Sequence, residues 1–203
     1  MKTKLTLLIL GAALMLASCT KYPSSTDRLL EDLVVITQYD TKIDFNNYTT
    51  YSMPASIMKI TDKDTVPITG QTADAVLAQI DKNMTARGFV KATGALKPDL
   101  AIDVLYFQNT TVYTYTYYWG GYYYPYYPYY PVYYSSYTTG MANIELLDLK
   151  NADPSSQRVA IRWNAYIRGL LTGTHTTSEI TGKVDQAFVQ TPQLKTTVPT
   201  AIQ

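Results

Sequence analysis

Ten residues in the last quarter of the chain constrain its fold more than any others. Val159, Ile161, Trp163, Ala165 and Ile167 alternate with Ala160, Arg162, Asn164, Tyr166 and Arg168. A period of two sends successive side chains to opposite faces of a pleated strand, so the run predicts a strand with one apolar and one wet face. Antiparallel sheets commonly leave one face wet, so its neighbour is expected to run antiparallel. Residues 141–149 are the adjacent apolar stretch, and residues 151–156 (NADPSS) between the two supply turn chemistry.

Other elements follow from simpler patterns. Residues 33–39 (LVVITQY) are rich in β-branched and apolar types and read as a buried strand, and residues 48–53 (YTTYSM) read as a second strand closed by Pro54. Residues 40–47 between them supply a turn, and residues 54–70, with TDKD and two prolines, read as a loop. Ala73, Val76, Leu77, Ile80 and Met84 recur at spacings of three and four, which predicts a helix with Thr72 as its cap. Gly88 ends that helix, with Phe89 folding back against Met84. Pro98 and Asp99 open a third strand in which Leu100, Ile102 and Val104 alternate with Ala101, Asp103 and Leu105. Near the carboxy terminus Thr176 and Glu179 match a capping box, Ile180, Val184, Ala187 and Phe188 form an apolar stripe, and Pro192 lies beyond; Gly182 weakens the pattern. Strands interrupted by two helices predict an α+β fold: a curved, mainly antiparallel sheet of about five strands with both helices on one face.

The amino terminus is an export signal. Lys2 and Lys4 precede an uncharged run at residues 5–16 (LTLLILGAALML), which is shorter than the about 20 apolar residues a spanning helix needs. Leu16-Ala17-Ser18-Cys19 resembles the lipobox of bacterial lipoproteins. That resemblance implies cleavage before Cys19 and acylation of its thiol and new amine; with about 0.8 kcal/mol per buried methylene, two or more chains anchor stably. Cys19 is the only cysteine, so an exported domain of this chain has no internal disulfide and depends on its core. Loss of residues 1–18 leaves 15 basic against 16 acidic residues, a charge of −1 that argues against nucleic acid as partner. Residues 19–30 read as the lipidated cysteine and a polar tether, 31–192 as one domain with an insertion at 110–139, and 193–203 as a polar tail.

The order of several motifs resembles a group of envelope lipoproteins known as domain of unknown function 4136. These motifs are Asp40 and Asp44-Phe45-Asn46-Asn47-Tyr48-Thr49-Thr50-Tyr51 after the first strand, Arg87-Gly88-Phe89 closing the first helix, and Pro98-Asp99-Leu100 opening the next strand. A tryptophan-bearing strand and a terminal amphipathic helix complete the series. The chain departs from the group in carrying Asn164-Ala165 where a glycine follows the tryptophan region, and in a long tyrosine insertion. The resemblance implies an anchored α+β domain without an established activity.

That insertion is the unusual part of the composition. Fourteen of the twenty tyrosines lie between Tyr113 and Tyr137, and no charged residue occurs from Val104 to Ile144. Residues 113–117 (YTYTY) alternate like a strand extension. Prolines at 125, 128 and 131 repeat at the polyproline II period and exclude an ordinary sheet interior. The segment reads either as a solvated hairpin tip packed on the domain or as a contact surface for headgroups, an envelope protein or cell-wall glycan. Tyr117, Trp119, Tyr123, Tyr126 and Tyr129 are the candidate contact residues. Single-stranded nucleic acid fits worst, because stacking platforms work beside cations and none lies between Lys97 and Lys150.

Several chemistries lack their parts. One cysteine and one histidine, His175, are too few for a zinc cluster or a Cys-His dyad, and His175, one residue before a predicted cap, reads as an exposed polar residue. No G-x-S-x-G elbow, Walker loop or G-x-G-x-x-G fingerprint occurs, and Asp62 with Asp64 reads as a solvated turn rather than a calcium loop. The expectation is a lipid-anchored, non-enzymatic binding or scaffolding module without cofactor, at the outer membrane facing the periplasm. A glycan-directed hydrolase using paired carboxylates is the competing class, and it requires two carboxylates facing each other across a deep cleft.

Overall fold

The computed structural model describes residues 33–61, 64–107, 112–116, 132–136, 140–153, 158–170 and 175–197, with 112–116, 132–136, 153 and 158 described as backbone. In chain order the elements are β1 (Val35–Tyr39), a 3-10 turn (Phe45–Asn47), β2 (Thr50–Ser52), β3 (Ile57–Ile60), β4 (Thr65–Ile68), α1 (Gln71–Ala86), β5 (Val90–Lys91), β6 (Leu100–Phe107), β7 (Val112–Thr116), β8 (Val132–Ser136), β9 (Met141–Asp153), β10 (Arg158–Arg168) and α2 (Thr177–Val189). Eight strands form one sheet in the order β1-β10-β9-β6-β2-β5, with β3 also on β6 and β4 on β3; β7 and β8 pair with each other.

The α+β class stands, but the sheet is mixed and has eight strands rather than about five. β2 pairs parallel with both β5 and β6, and β3 pairs parallel with β6. α1 is the reason: a helix between β2 and β5 carries the chain back so that the next strand starts at the same end of the sheet. Two of the added strands lie inside residues 54–70, where β3 and β4 form an antiparallel pair instead of the expected loop. Pro67 is tolerated there because β4 is an edge, paired among the described strands with β3 alone. β1 is the opposite edge and is half-exposed, not buried, with Ile36 at 51 %.

α1 starts two residues earlier than expected, after Gly70, with no side-chain cap; Thr72 lies inside it. Its stop is as read: Gly88 adopts φ +88° and the Phe89 amide donates to the Met84 carbonyl at 3.2 Å. α2 begins with the expected reciprocal capping box between Thr176 and Glu179. The buried residues of both helices join Leu100, Ile102, Val104, Ala142, Ile144, Leu146, Trp163, Ala165 and Ile167 in one core. Trp163 lies 5.1 Å from the Phe188 ring, and its Nε1 donates to Thr191 at 2.9 Å. Residues 193–197 pack back on the domain: Leu194 is fully buried, and the Thr196 amide donates to the Arg87 carbonyl.

In β10 the alternation does not keep to one face. The pairing with β9 slips between Ile161 and Trp163, where Ile161 faces Leu147 and Trp163 faces Leu146, and again between Arg158 and Ala160. An extra residue in one strand reverses the side of everything before it. Trp163, Ala165 and Ile167 therefore face the helices, while Val159 and Ile161 pack with Ala101, Leu147 and Leu149 on the other side.

Candidate functional site

The slip in β10 places Arg162 where it reaches two acids from distant parts of the chain. Its Nε and Nη2 meet Asp148 Oδ2 at 2.9 and 2.8 Å, and its Nη1 meets Asp40 Oδ2 at 2.8 Å. Asp148 is fully buried and also accepts from the Tyr48 hydroxyl at 2.8 Å and from the backbone and side chain of Asn151. Burial alone would raise the Asp148 carboxyl, but the bonds from Asn151, Tyr48 and Arg162 outweigh it and hold it below the ordinary aspartate range. Desolvation, and then the bond to Asp148, push the Tyr48 phenol up to about 12. Asp40 is likewise held low, first by the Lys42 amide, which with Arg162 outweighs the opposing desolvation.

A pocket of about 330 Å³ opens beside this network, lined by Gln38, Tyr39, Asp40, Ile161, Arg162, Trp163 and Asn164. It holds one carboxylate, and that carboxylate is bound to Arg162. Such a pair is a poor general acid or base, because the guanidinium keeps the carboxyl ionised and occupies it. The guanidinium in turn has its charge matched by two acids, which disfavours an anionic ligand.

A second polar cluster lies on the sheet face away from the helices. Asp103 of β6, Glu145 of β9 and Asn164 of β10 occupy one row across three strands, and Leu105, Asn143 and Tyr166 occupy the next. Asp103 and Glu145 are each 1 % exposed and Asn143 is fully buried. Asn143 Nδ2 donates to Glu145 Oε1, and Asn164 Nδ2 donates to the Tyr166 hydroxyl at 2.9 Å. This overturns the reading of Asp103 as a wet-face residue of a half-buried strand.

The motif residues of the sequence are spent on architecture. Asp99 Oδ2 accepts from the amides of Thr49 and Thr50, Asp44 caps the 3-10 turn, and the Tyr51 hydroxyl donates to Asp81 at 2.7 Å. Arg87 lies over the Phe188 ring at 5.1 Å. Together they tie the segment after β1 to β6, and the end of α1 to α2. Comparison with protein-family models matches residues 35–193 to Domain of unknown function DUF4136. The chain belongs to the DUF4136 family. A crystal structure of a DUF4136 family protein from Bacteroides thetaiotaomicron is similar at 30 % identity and TM-score 0.65, covering 80 % of this chain and 97 % of that one. PelC from Paraburkholderia phytofirmans, seen as a dodecamer, is a remote likeness at 12 % identity and TM-score 0.41, covering 82 % of this chain and 99 % of its own. Comparison with curated proteins finds no match.

Cys19, Tyr117, Trp119, Tyr123, Tyr126 and Tyr129 lie outside the described residues, as does Asp62. His175 is half-buried rather than exposed, and Asp64 joins Thr61 in a turn. The structure brings together instead Asp40, Tyr48, Asp148 and Arg162, and separately Asp103, Asn143 and Glu145. The signal for both was present as acids inside apolar strands, LAIDVLYF and ANIELLDL. A carboxylate in such a run is costly to bury unless it has partners, so each marked a network.

Proposed function

We propose that this DUF4136 chain is a lipid-anchored envelope protein whose domain binds or scaffolds a partner and carries out no reaction. The observation that carries the reading is Leu16-Ala17-Ser18-Cys19 directly after a short apolar run, the arrangement that directs cleavage and acylation. Thr20 rather than aspartate follows the cysteine, which by likeness to sorted lipoproteins favours the outer membrane and a domain facing the periplasm. The commitment of Asp40, Asp148 and Arg162 to one another supports a non-catalytic role for the pocket beside them. Tyr117, Trp119, Tyr123, Tyr126 and Tyr129 are the proposed contact residues for an envelope protein or cell-wall glycan, since each ring offers apolar area with a polar edge.

Growth with a clickable fatty acid, followed by mass spectrometry of the purified chain, tests the anchor. Acyl groups on Cys19 as the first residue are expected, and the Cys19→Ala variant should lose the label. An unacylated chain, or one that retains residues 5–16, overturns the reading. Crosslinking in cells, with and without residues 113–137, tests the contact role; an identical set of captured envelope components would refute it.

A further inference from the structure

The pocket beside Arg162 carries hydrogen-bonding capacity that the network next to it does not use. Gln38 of β1 and Asn164 of β10 are register partners, so their amides stand side by side on the sheet face away from the helices. Gln38 is exposed, and its side chain makes no hydrogen bond among the described residues. Asn164 Nδ2 donates to the Tyr166 hydroxyl, while its Oδ1 is shielded from water and accepts from no group. A guanidinium has five N–H donors. Nε, Nη1 and Nη2 of Arg162 each spend one on a carboxylate oxygen, which leaves one hydrogen on each Nη. Asp40 gives one oxygen to the Lys42 amide and the other to Arg162, and each oxygen can accept a second bond. Ile161 adds an apolar patch to the same wall.

We propose that this pocket is a subsite for one neutral sugar ring, held through its hydroxyls by Gln38, Asp40, Arg162 and Asn164. Charge gives the first reason. The carboxylate and the guanidinium at the pocket offset each other, and Asp148 holds the same guanidinium, so neither an anion nor a cation meets an unmatched partner. Geometry gives the second. The unspent groups mix donors and acceptors within one wall: guanidinium beside carboxylate, amide beside amide. A hydroxyl donates once and accepts twice at a single atom, so neighbouring hydroxyls on a ring can meet such a wall. The N–H and C=O of a peptide unit point in opposite directions, so a peptide backbone can turn only one of them to it. The side-chain amide torsion of asparagine is soft, which lets Oδ1 turn to a hydroxyl seated beside it.

Size gives the third reason. A volume of about 330 Å³ lies at the small end of ligand pockets, which run from about 300 to 1,000 Å³, and suits one ring better than a longer buried segment. The inference rests on neither the lipid anchor nor the proposed tyrosine contacts.

Saturation-transfer difference NMR of the full chain in phosphocholine micelles, with glucose and N-acetylglucosamine as probes, tests the site. Ring-proton signals are expected with a dissociation constant of about 1 mM, the range open to a ligand of so few atoms in a polar pocket. Gln38→Ala and Asn164→Leu should each weaken binding roughly fivefold through the loss of one hydrogen bond, and Gln38→Ala should leave the urea midpoint unmoved. Glucuronate should bind roughly fivefold more weakly than glucose, because its carboxylate finds no unmatched cation. Absence of signal from both sugars overturns the proposal. So do signals that both variants leave unchanged, which would place the sugar elsewhere on the chain, and so does glucuronate binding as tightly as glucose. A preference for N-acetylglucosamine would identify a cell-wall glycan as the source of the ring, and a preference for glucose a polysaccharide without amino sugars.

Discussion

A single guanidinium joins the turn after β1 to the end of β9. Arg162 meets Asp40 on one side and the fully buried Asp148 on the other, and its side chain is 24 % exposed. Replacing it by leucine leaves the Asp148 charge with donors from Tyr48 and Asn151 alone, a buried ion stripped of its counter-charge. The expected loss is about 3 kcal/mol in urea unfolding. Arg162→Lys should recover only part of it, because an ammonium cannot form the fork that serves two acids at once. The pH dependence has a definite sign. Asp148 is depressed when folded, so its contribution is complete above the unfolded value of about 3.9 and disappears as pH falls through the lower folded value. Stability should therefore fall steeply below about pH 4, and the fall should be shallower in Asp148→Asn. Tyr48 acts at the other limit: its folded value is raised to about 12, so its contribution is full below about pH 10 and is lost as pH climbs through 12. Scanning calorimetry from pH 3 to 12 reads both limbs.

Elements differ in how much of themselves they show in sequence. α1, α2 and the core strands were legible because apolar spacing states the face that packs, and the Gly88 stop and Thr176 cap were legible because backbone geometry demands those residue types. The slips in β10 were not, since an added residue changes the register without changing the residue types, and the alternation of residues 159–168 reads as unbroken. β3 and β4 were hidden by a charged turn and by Pro67, which signals a loop unless the strand is known to be an edge. Two glycines give opposite predictions. At Gly88 the positive φ is compounded by space, because a Cβ would lie 2.5 Å from the Thr196 backbone oxygen. Gly88→Ala should destabilise by more than about 1 kcal/mol and loosen residues 194–197 from the end of α1. At Gly182, inside α2, a Cβ would have nothing within 4 Å. Gly182→Ala should raise stability by about 0.5–1 kcal/mol, visible as a higher urea midpoint with unchanged slope.

At the scale of the molecule, the sequence read a sheet with one wet face, and the structure has one buried on both sides at its centre. The difference traces to β6 and β9, where Asp103 and Glu145 looked like solvated positions and lie instead on a covered face. Pattern cannot separate the two cases, because an acid that faces water and an acid that faces buried donors are the same letter. Burial without disulfides must then come from contacts within the domain, and among the described residues every member of the main core falls between Leu33 and Leu194. A compact unit begins at Leu33. A chain beginning at Leu33 should therefore unfold within about 0.5 kcal/mol of the chain beginning at Cys19, since none of the described core side chains is removed. A larger drop would assign residues 19–32 to the fold.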